Sequence, residues 1–125
     1  MTTFELPPRA PGERGSPSRF EVEIRPDRSG VIVVPHGELD LATVGTLEAE
    51  IDELVATGFT TIVLDLRALS FIDSTGLRLI IKQSRRPDGS VRLIDGSEPV
   101  ARIFDLTGVR ATLPFLEPYE VRLIG

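Results

Sequence analysis

Cysteine is absent from this 125-residue chain, and His36 is its single histidine. Without cysteine there is no disulfide, thiolate metal site or cysteine nucleophile, and one imidazole does not support a histidine-rich zinc site or a histidine-based catalytic pair. The chain also lacks a run of about 18 apolar residues and, at its start, the apolar segment of a secretory signal. We therefore expect a cytoplasmic protein with no metal and no membrane partner.

Nucleotide-binding signatures are missing as well. Neither G-x-x-x-x-G-K-[ST] nor G-x-G-x-x-G occurs in the chain, so the sequence predicts no cofactor. The formal net charge is −5, which argues against direct nucleic-acid binding and against attraction to an anionic membrane. An acidic chain suits a protein partner that has a basic docking face.

The length is that of a single domain. Residues 1–19 combine prolines, glycines and serines without any alternating pattern, so we interpret them as a flexible N-terminal tail. The domain itself is predicted at 20–116. Residues 117–125 are predicted to be a C-terminal extension, whose apolar residues suit either a strand or a cover over apolar surface.

Hydrophobic patterning beyond the tail predicts an opening hairpin, followed by helices that alternate with strands. Strands are predicted at 20–24, 31–34, 61–66, 91–94 and 111–115, and helices at 44–55, 77–86 and 97–107. The residues at 25–30 and 35–40 are interpreted as a turn and a polar loop. The order β-β-α-β-α-β-α-β indicates an α/β domain, with a mixed sheet of four to five strands and helices packed against it.

One stretch, Ser70–Leu77, brings a carboxylate, two hydroxyls and a glycine to the start of a predicted helix. Asp73 or Ser74 would be a suitable N-cap, which is a sufficient reason for either residue. A phosphate on Ser74 would also be favoured there, by about 0.3–1 kcal/mol, because the start of a helix attracts anions. Both interpretations of Ser74, as a cap and as a regulatory hydroxyl, stay open at this point.

A second polar segment, Gly37–Asp40, also follows a predicted central strand. If its strand is a neighbour of the strand before Ser74, Glu38 or Asp40 would come close to the Ser74 hydroxyl. Carboxylates there would orient that hydroxyl, or help to hold a magnesium ion brought by the nucleotide of a kinase. The alternative is that this segment is only the turn and cap that begin the first helix.

A serine hydrolase is the competing class of function. Its nucleophile needs a base, and no sequence pattern brings His36 to Ser74. The G-x-S-x-G pattern is also absent around Ser74. The sequence therefore favours a protein that is not an enzyme.

Four segments in order resemble one known family. Gly37–Asp40, Ile62–Leu66, Leu69–Leu77 and Ile103–Val109 look like the corresponding motifs of the STAS domain of bacterial anti-anti-sigma factors. The resemblance covers about residues 20–116, and it implies a STAS-like fold. It also implies a partner switch in which the serine after the aspartate, here Ser74, is phosphorylated.

Further expectations follow from this resemblance alone. The partner would be an anti-sigma factor that is also a serine kinase. It would bind the unphosphorylated protein, release the sigma factor, and let go once Ser74 is phosphorylated; a PP2C-type phosphatase would restore the binding form. The partner-binding residues would be Glu38, Leu39, Asp40, Asp73, Ser74, Thr75, Gly76 and Arg78.

The chain departs from the family pattern in its long tail, its short 85–90 connection and the apparent lack of a C-terminal helix, because Pro118 interrupts 117–119. Two other functions remain as alternatives. One is a STAS subunit of another assembly, such as a signalling complex or a lipid transporter. The other is the small serine hydrolase.

Overall fold

Residues 19–124 are described in a computed structural model of the chain, so residues 1–18 of the predicted tail lie outside the described part. The described part holds five strands, four α-helices and one short 3-10 helix. The strands are β1 (Glu21–Asp27), β2 (Gly30–Leu39), β3 (Thr61–Asp65), β4 (Leu69–Ile72) and β5 (Ser90–Ile94). The α-helices are α1 (Val44–Ala56), α2 (Ser74–Ser84), α3 (Glu98–Thr107) and α4 (Pro118–Ile124), and the 3-10 helix is Arg110–Thr112.

Strand β2 is the longest and has three neighbours. It pairs with β1 in an antiparallel hairpin along one side. Along its other side it pairs in parallel first with β3 and then with β4, and β5 extends the sheet beyond β3. The pairing register shifts between Gly37 and Glu38, and Gly37 has a φ of 108°, a backbone conformation that favours glycine. The predicted α/β class and mixed sheet are confirmed.

The sheet is covered on both faces, because alternate residues of β2 are buried on opposite sides. Val31 and Val33 belong to the main core, which is completed by α1, α2 and α3. Ile32 and Val34 belong to a smaller core under α4. Each fully buried aliphatic side chain contributes roughly 1.5–3 kcal/mol to folding, so the main core carries most of the stability.

The polar loop predicted at 35–40 is wrong, since β2 continues to Leu39. Strand β4 was not predicted, although it is the reason for this continuation: it gives the end of β2 a new hydrogen-bonding neighbour after β3 has ended, as in the bond from Gly37 N–H to Ala68 O (3.3 Å). Helix α2 also begins at Ser74 rather than at the predicted Leu77.

The strand predicted at 111–115 is also wrong. Those residues form the 3-10 helix and a single bridge between Leu93 and Phe115, because Pro114 has no N–H to extend a ladder. The helix that the sequence seemed to lack is α4, and Pro118 is its first residue. Proline is well suited to that position, where the missing N–H would have had no partner within the helix.

Candidate functional site

A tight turn connects β3 to β4, the strand that precedes Ser74. Asp65 lies at the end of β3 with its carboxylate buried, and it accepts hydrogen bonds from the backbone N–H (3.0 Å) and the guanidinium (2.8 and 3.0 Å) of Arg67. Burial raises the pKa of Asp65, but these bonds and the arginine charge outweigh it and lower the pKa below its ordinary value. After this turn the chain continues as β4, which runs parallel to β2 and pairs with the end of that strand.

The ends of β2 and β4 lie side by side, so the two polar segments meet. Glu38 is opposite Phe71, and Leu39 is opposite Ile72. The backbone N–H of Asp73 donates to Leu39 O at 3.2 Å. The backbone of the Glu38–Asp40 segment therefore lies next to the backbone of the Ser74 motif, as expected.

Asp73 is the N-cap of α2. Its Oδ1 accepts a hydrogen bond from Gly76 N–H at 2.9 Å, and its backbone is extended, as is usual for a cap. Ser74 is the first helical residue and is exposed. Within residues 19–124 its hydroxyl has no hydrogen-bond partner. The capping role thus belongs to Asp73, and the Ser74 hydroxyl is left available.

Gly76 allows α2 to begin directly against β2. A Cβ at this position would lie 2.6 Å from Leu39 O, 2.8 Å from Ile72 Cγ1 and 3.0 Å from Leu39 Cγ. These distances are well inside van der Waals contact, so any side chain here would push the helix start away from the strand. Gly76 therefore positions Ser74 without being part of the exposed surface.

The Asp40 segment begins α1, as the alternative interpretation of this segment proposed. Asp40 Oδ1 accepts from Ala42 N–H at 3.0 Å, and the carbonyl of Asp40 accepts from Val44 N–H at 2.9 Å. Thr43 Oγ1 donates to Glu38 O at 2.7 Å and accepts from Asp40 N–H at 2.9 Å. This network fixes the loop beside Ser74.

Two apolar side chains that the sequence reasoning missed flank the motif. Leu41 is 77% exposed and Phe71 is 46% exposed. Leu39, which was expected to contact a partner, is fully buried, so it supports the site through its carbonyl and its core packing. Alternation along β4 would not have indicated an outward Phe71, because Leu69 is buried while both Ser70 and Phe71 are exposed. We call Glu38, Leu41, Phe71, Ser74 and Thr75 the docking face.

A shallow groove of about 260 Å³ between α1 and α2 adjoins this face. Its apolar floor is formed by Val44 and Leu79, and its rim carries Glu48, Thr75, Arg78 and Lys82. Lys82 Nζ donates to Glu48 Oε2 at 2.6 Å, and this bond raises the pKa of Lys82. The Lys82–Glu48 ion pair therefore links α1 and α2 across the groove, and Thr75 also lines the groove.

His36 is hydrogen-bonded across the hairpin to Glu23. It lies within β2 rather than at the end of that strand, and its Nε2 is 2.9 Å from Glu23 Oε1 on β1. That hydrogen bond lowers the pKa of Glu23. In the stretch 19–124 no three histidine, aspartate or glutamate side chains are grouped so as to hold a metal ion. The same stretch contains no helix that is long and apolar enough to span a membrane.

Comparison with known proteins identifies the family. The family model described as the STAS domain matches residues 19–120. The anti-sigma-B factor antagonist of Staphylococcus epidermidis is 33% identical over 88 residues, which are 68% of this chain and 82% of that protein. The anti-sigma-F factor antagonist RsfB of Mycobacterium tuberculosis is 40% identical over 67 residues, which are 53% of this chain and 55% of RsfB. The match thus spans little more than half of that relative.

The fold comparison agrees. The anti-sigma factor antagonist SpoIIAA in its unphosphorylated form superposes with a TM-score of 0.63 at 27% identity, covering 82% of this chain and 92% of SpoIIAA. A phosphorylated form of the Bacillus protein superposes with a TM-score of 0.57, also at 27% identity, and covers 82% of this chain and 96% of SpoIIAA. With the matched domain, the shared fold and relatives of this identity, the chain belongs to the STAS-domain family of anti-sigma factor antagonists.

Proposed function

We propose that this protein is an antagonist of an anti-sigma factor that is itself a serine kinase, and that phosphorylation of Ser74 switches it off. The unphosphorylated protein binds the kinase and thereby frees the sigma factor. The observation that carries the proposal is the exposed Ser74 hydroxyl, which has no partner within residues 19–124 and is flanked by the exposed Leu41 and Phe71. The names of the similar proteins, and the existence of SpoIIAA in both phosphorylation states, support it.

The start of α2 can accept a phosphate without loss of the fold. The Asp73 carboxylate accepts a hydrogen bond from the N–H of Gly76, whereas the N–H groups of Ser74 and Thr75 have no acceptor within the described residues. Unpaired N–H groups and the positive end of the helix dipole favour an anion. Phosphorylation therefore changes the surface rather than the packing beneath it.

The energy required for a switch is modest. A phosphoserine carries a charge of about −1.5 to −2, and burying it against apolar or acidic groups costs desolvation and repulsion. A loss of about 2.7 kcal/mol weakens binding roughly a hundredfold. The docking face provides such surroundings, because it combines the exposed Leu41 and Phe71 with Glu38, and Asp40 follows directly after β2. No large conformational change is needed.

The cycle needs a second enzyme to remove the phosphate, and a PP2C-type phosphatase is the class we propose. The protein itself acts by binding rather than by catalysis, in the cytoplasm. His36, the side chain that a serine hydrolase would need, is hydrogen-bonded to Glu23 on β1.

Intact-mass analysis after incubation with ATP and the cognate anti-sigma factor tests the proposal. We expect one added phosphate on the parent protein and none on Ser74→Ala. Ser97→Ala, which changes the serine at the start of α3, is the matched control and should gain the phosphate normally. Phosphate that persists in Ser74→Ala would move the site, with Thr75→Ala as the next variant to examine. Absence of phosphate on the parent protein would refute the switch.

A further inference from the structure

Arg78 lies one helical turn beyond Ser74 on α2, and its charge is not paired within the described part of the chain. Residues four apart on a helix have Cβ atoms about 5–6 Å apart and lie on the same face. Among residues 19–124 no carboxylate is within salt-bridge distance of the Arg78 guanidinium, which is exposed. The next basic residue of α2, Lys82, is instead bound to Glu48.

We propose that Arg78 binds the phosphate of Ser74 in an intramolecular ion pair, so that phosphorylation also withdraws this cation from the surface offered to the partner. The proposal rests on the proposed function, because it needs a phosphate on Ser74. Arginine is well suited to the task, since its planar guanidinium donates two parallel hydrogen bonds to phosphate oxygens.

The charges around this pair leave Arg78 as the nearest uncommitted cation on α2. Asp73 caps the helix, and Glu38 and Asp40 lie at the end of β2. These carboxylates repel a phosphate, so a mobile phosphoserine side chain is directed along the helix toward Arg78. Phosphorylation thus removes a hydroxyl and a positive charge from the docking side of α2 in one step.

A phosphorus NMR titration tests the pair. Phosphoserine is introduced at position 74 by genetic code expansion, which needs no kinase, and the ³¹P shift is followed against pH. Arg78→Ala should raise the proton affinity of the phosphate about threefold, because an adjacent cation favours the dianion. Arg78→Lys should raise it less. Arg85→Ala is the matched control: it removes the same charge from the C-cap of α2, about 16 Å away along the axis and beyond the Debye length of about 8–10 Å.

An unchanged titration in Arg78→Ala overturns the ion pair, and so does an equal change in Arg85→Ala, which would reveal only a general effect of net charge. The two proposals fail separately, since the phosphoserine here is not made by the kinase. If the kinase phosphorylates Ser74 but the titration is the same in Arg78→Ala as in the parent, only the ion pair is refuted. An Arg78-dependent titration in a protein that the kinase never phosphorylates refutes the proposed function.

Discussion

Helices α2 and α3 begin at the same edge of the sheet with similar residues, yet within residues 19–124 the serine hydroxyl at α3 has a hydrogen-bond partner and the one at α2 has none. Each follows a strand whose direction is that of β2, and each start combines an aspartate, a serine and a glycine. At α3, Ser97 Oγ donates a hydrogen bond to Leu69 O at 3.4 Å. Asp95 accepts from Gly96 N–H at 2.9 Å and from the Arg110 guanidinium at 2.7 Å. The polar groups at α3 are therefore used by the fold.

Arg110 explains much of this difference. Its guanidinium lies over the rings of Phe104 and Phe115, 5.8 and 4.9 Å from their centroids, and also binds Asp95 and Asp105. It ties α3 to the segment that follows it. At α2 the cap is Asp73, a residue separate from the serine, and apolar groups beside it are exposed. A serine at a helix start becomes a candidate for regulation when a neighbouring residue already caps the helix, because its hydroxyl is then not needed for capping.

The largest predicted difference between the two starts is in partner binding. Ser74→Asp should weaken binding to the anti-sigma factor about a hundredfold, because it places a charge on the docking face. Ser97→Asp should leave the affinity unchanged. Isothermal titration calorimetry measures both, and the thermal midpoint of Ser74→Asp should stay within a few degrees of the parent, since an anion suits a helix start. Collapse of the Ser74→Asp fold would contradict the exposed placement of this side chain.

The glycines of the two starts should differ in stability cost. Gly76→Ala forces a Cβ against a backbone oxygen and two side chains, and should lower the free energy of unfolding by about 2 kcal/mol. Gly96→Ala meets mainly the side chain of Val100, at 2.8 Å, so a loss of about 1 kcal/mol is expected. Urea denaturation measures both values. A greater loss for Gly96→Ala would reverse our view of which start is packed more tightly.

Exposed apolar residues offer a third comparison. Phe71→Ala should weaken binding of the anti-sigma factor about tenfold, because an exposed aromatic side chain beside Ser74 is a suitable anchor for a partner. Leu106 on α3 is 75% exposed, and Leu106→Ala should leave binding unaltered. Equal losses in the two variants, measured by the same calorimetry, would place α3 within the interface.

Acid should weaken the turn between β3 and β4 through Asp65. Because its pKa is lower in the folded protein than its ordinary value of 3.8, its contribution to stability is complete above that value and is lost as the pH falls through the folded pKa. Asp65→Asn should therefore cost about 1 kcal/mol at pH 7 and show a smaller further loss at pH 3 than the parent protein. Parallel urea curves at the two pH values check this, and an unchanged acid dependence in the variant would disprove it.

The smallest difference concerns the caps. Asp73→Ala removes the bond to Gly76 N–H and should reduce the free energy of unfolding by about 1 kcal/mol. Ser97 makes no side-chain cap bond to α3, so Ser97→Ala should cost less than about 0.5 kcal/mol. Comparable values from urea unfolding would mean that both helix starts depend equally on their caps.

Sequence patterns predicted the α/β class and a helix cap at Asp73 or Ser74 because both depend on local signals. The continuous apolar runs of β2 and β3 indicate buried strands, and a carboxylate three residues before a helical N–H indicates a cap. The meeting of the Glu38–Asp40 segment with the motif followed from a parallel sheet. The uncommitted state of Ser74 did not follow from the pattern, since either Asp73 or Ser74 would have served as the cap.

Strand β4 and the exposed apolar residues could not be predicted because they depend on tertiary contacts. Four residues are too few to show a strand period, and the pairing of β4 with β2 contains a register shift, since Gly37 lies opposite Leu69 but Glu38 lies opposite Phe71. The outward orientation of Phe71 follows from that pairing. Proline is found both where a chain interrupts a helix and at the first residue of a helix, so Pro118 alone does not predict α4. The packing of Val121 and Ile124 against the sheet, which favours the helix, is a tertiary contact.

The direction of β1 has a practical consequence for attaching anything to this protein. Glu21, its first residue, lies opposite His36, so the polypeptide before it joins the domain at the edge where α2 begins. Ile124 instead shares a groove with Asp27 and Ser29 at the hairpin turn, about 20 Å away along β2. Under the proposed function, a fluorophore, affinity tag or sensor-chip anchor placed directly ahead of residue 19 should therefore compete for space with the anti-sigma factor. The same attachment after residue 124 leaves the docking face clear.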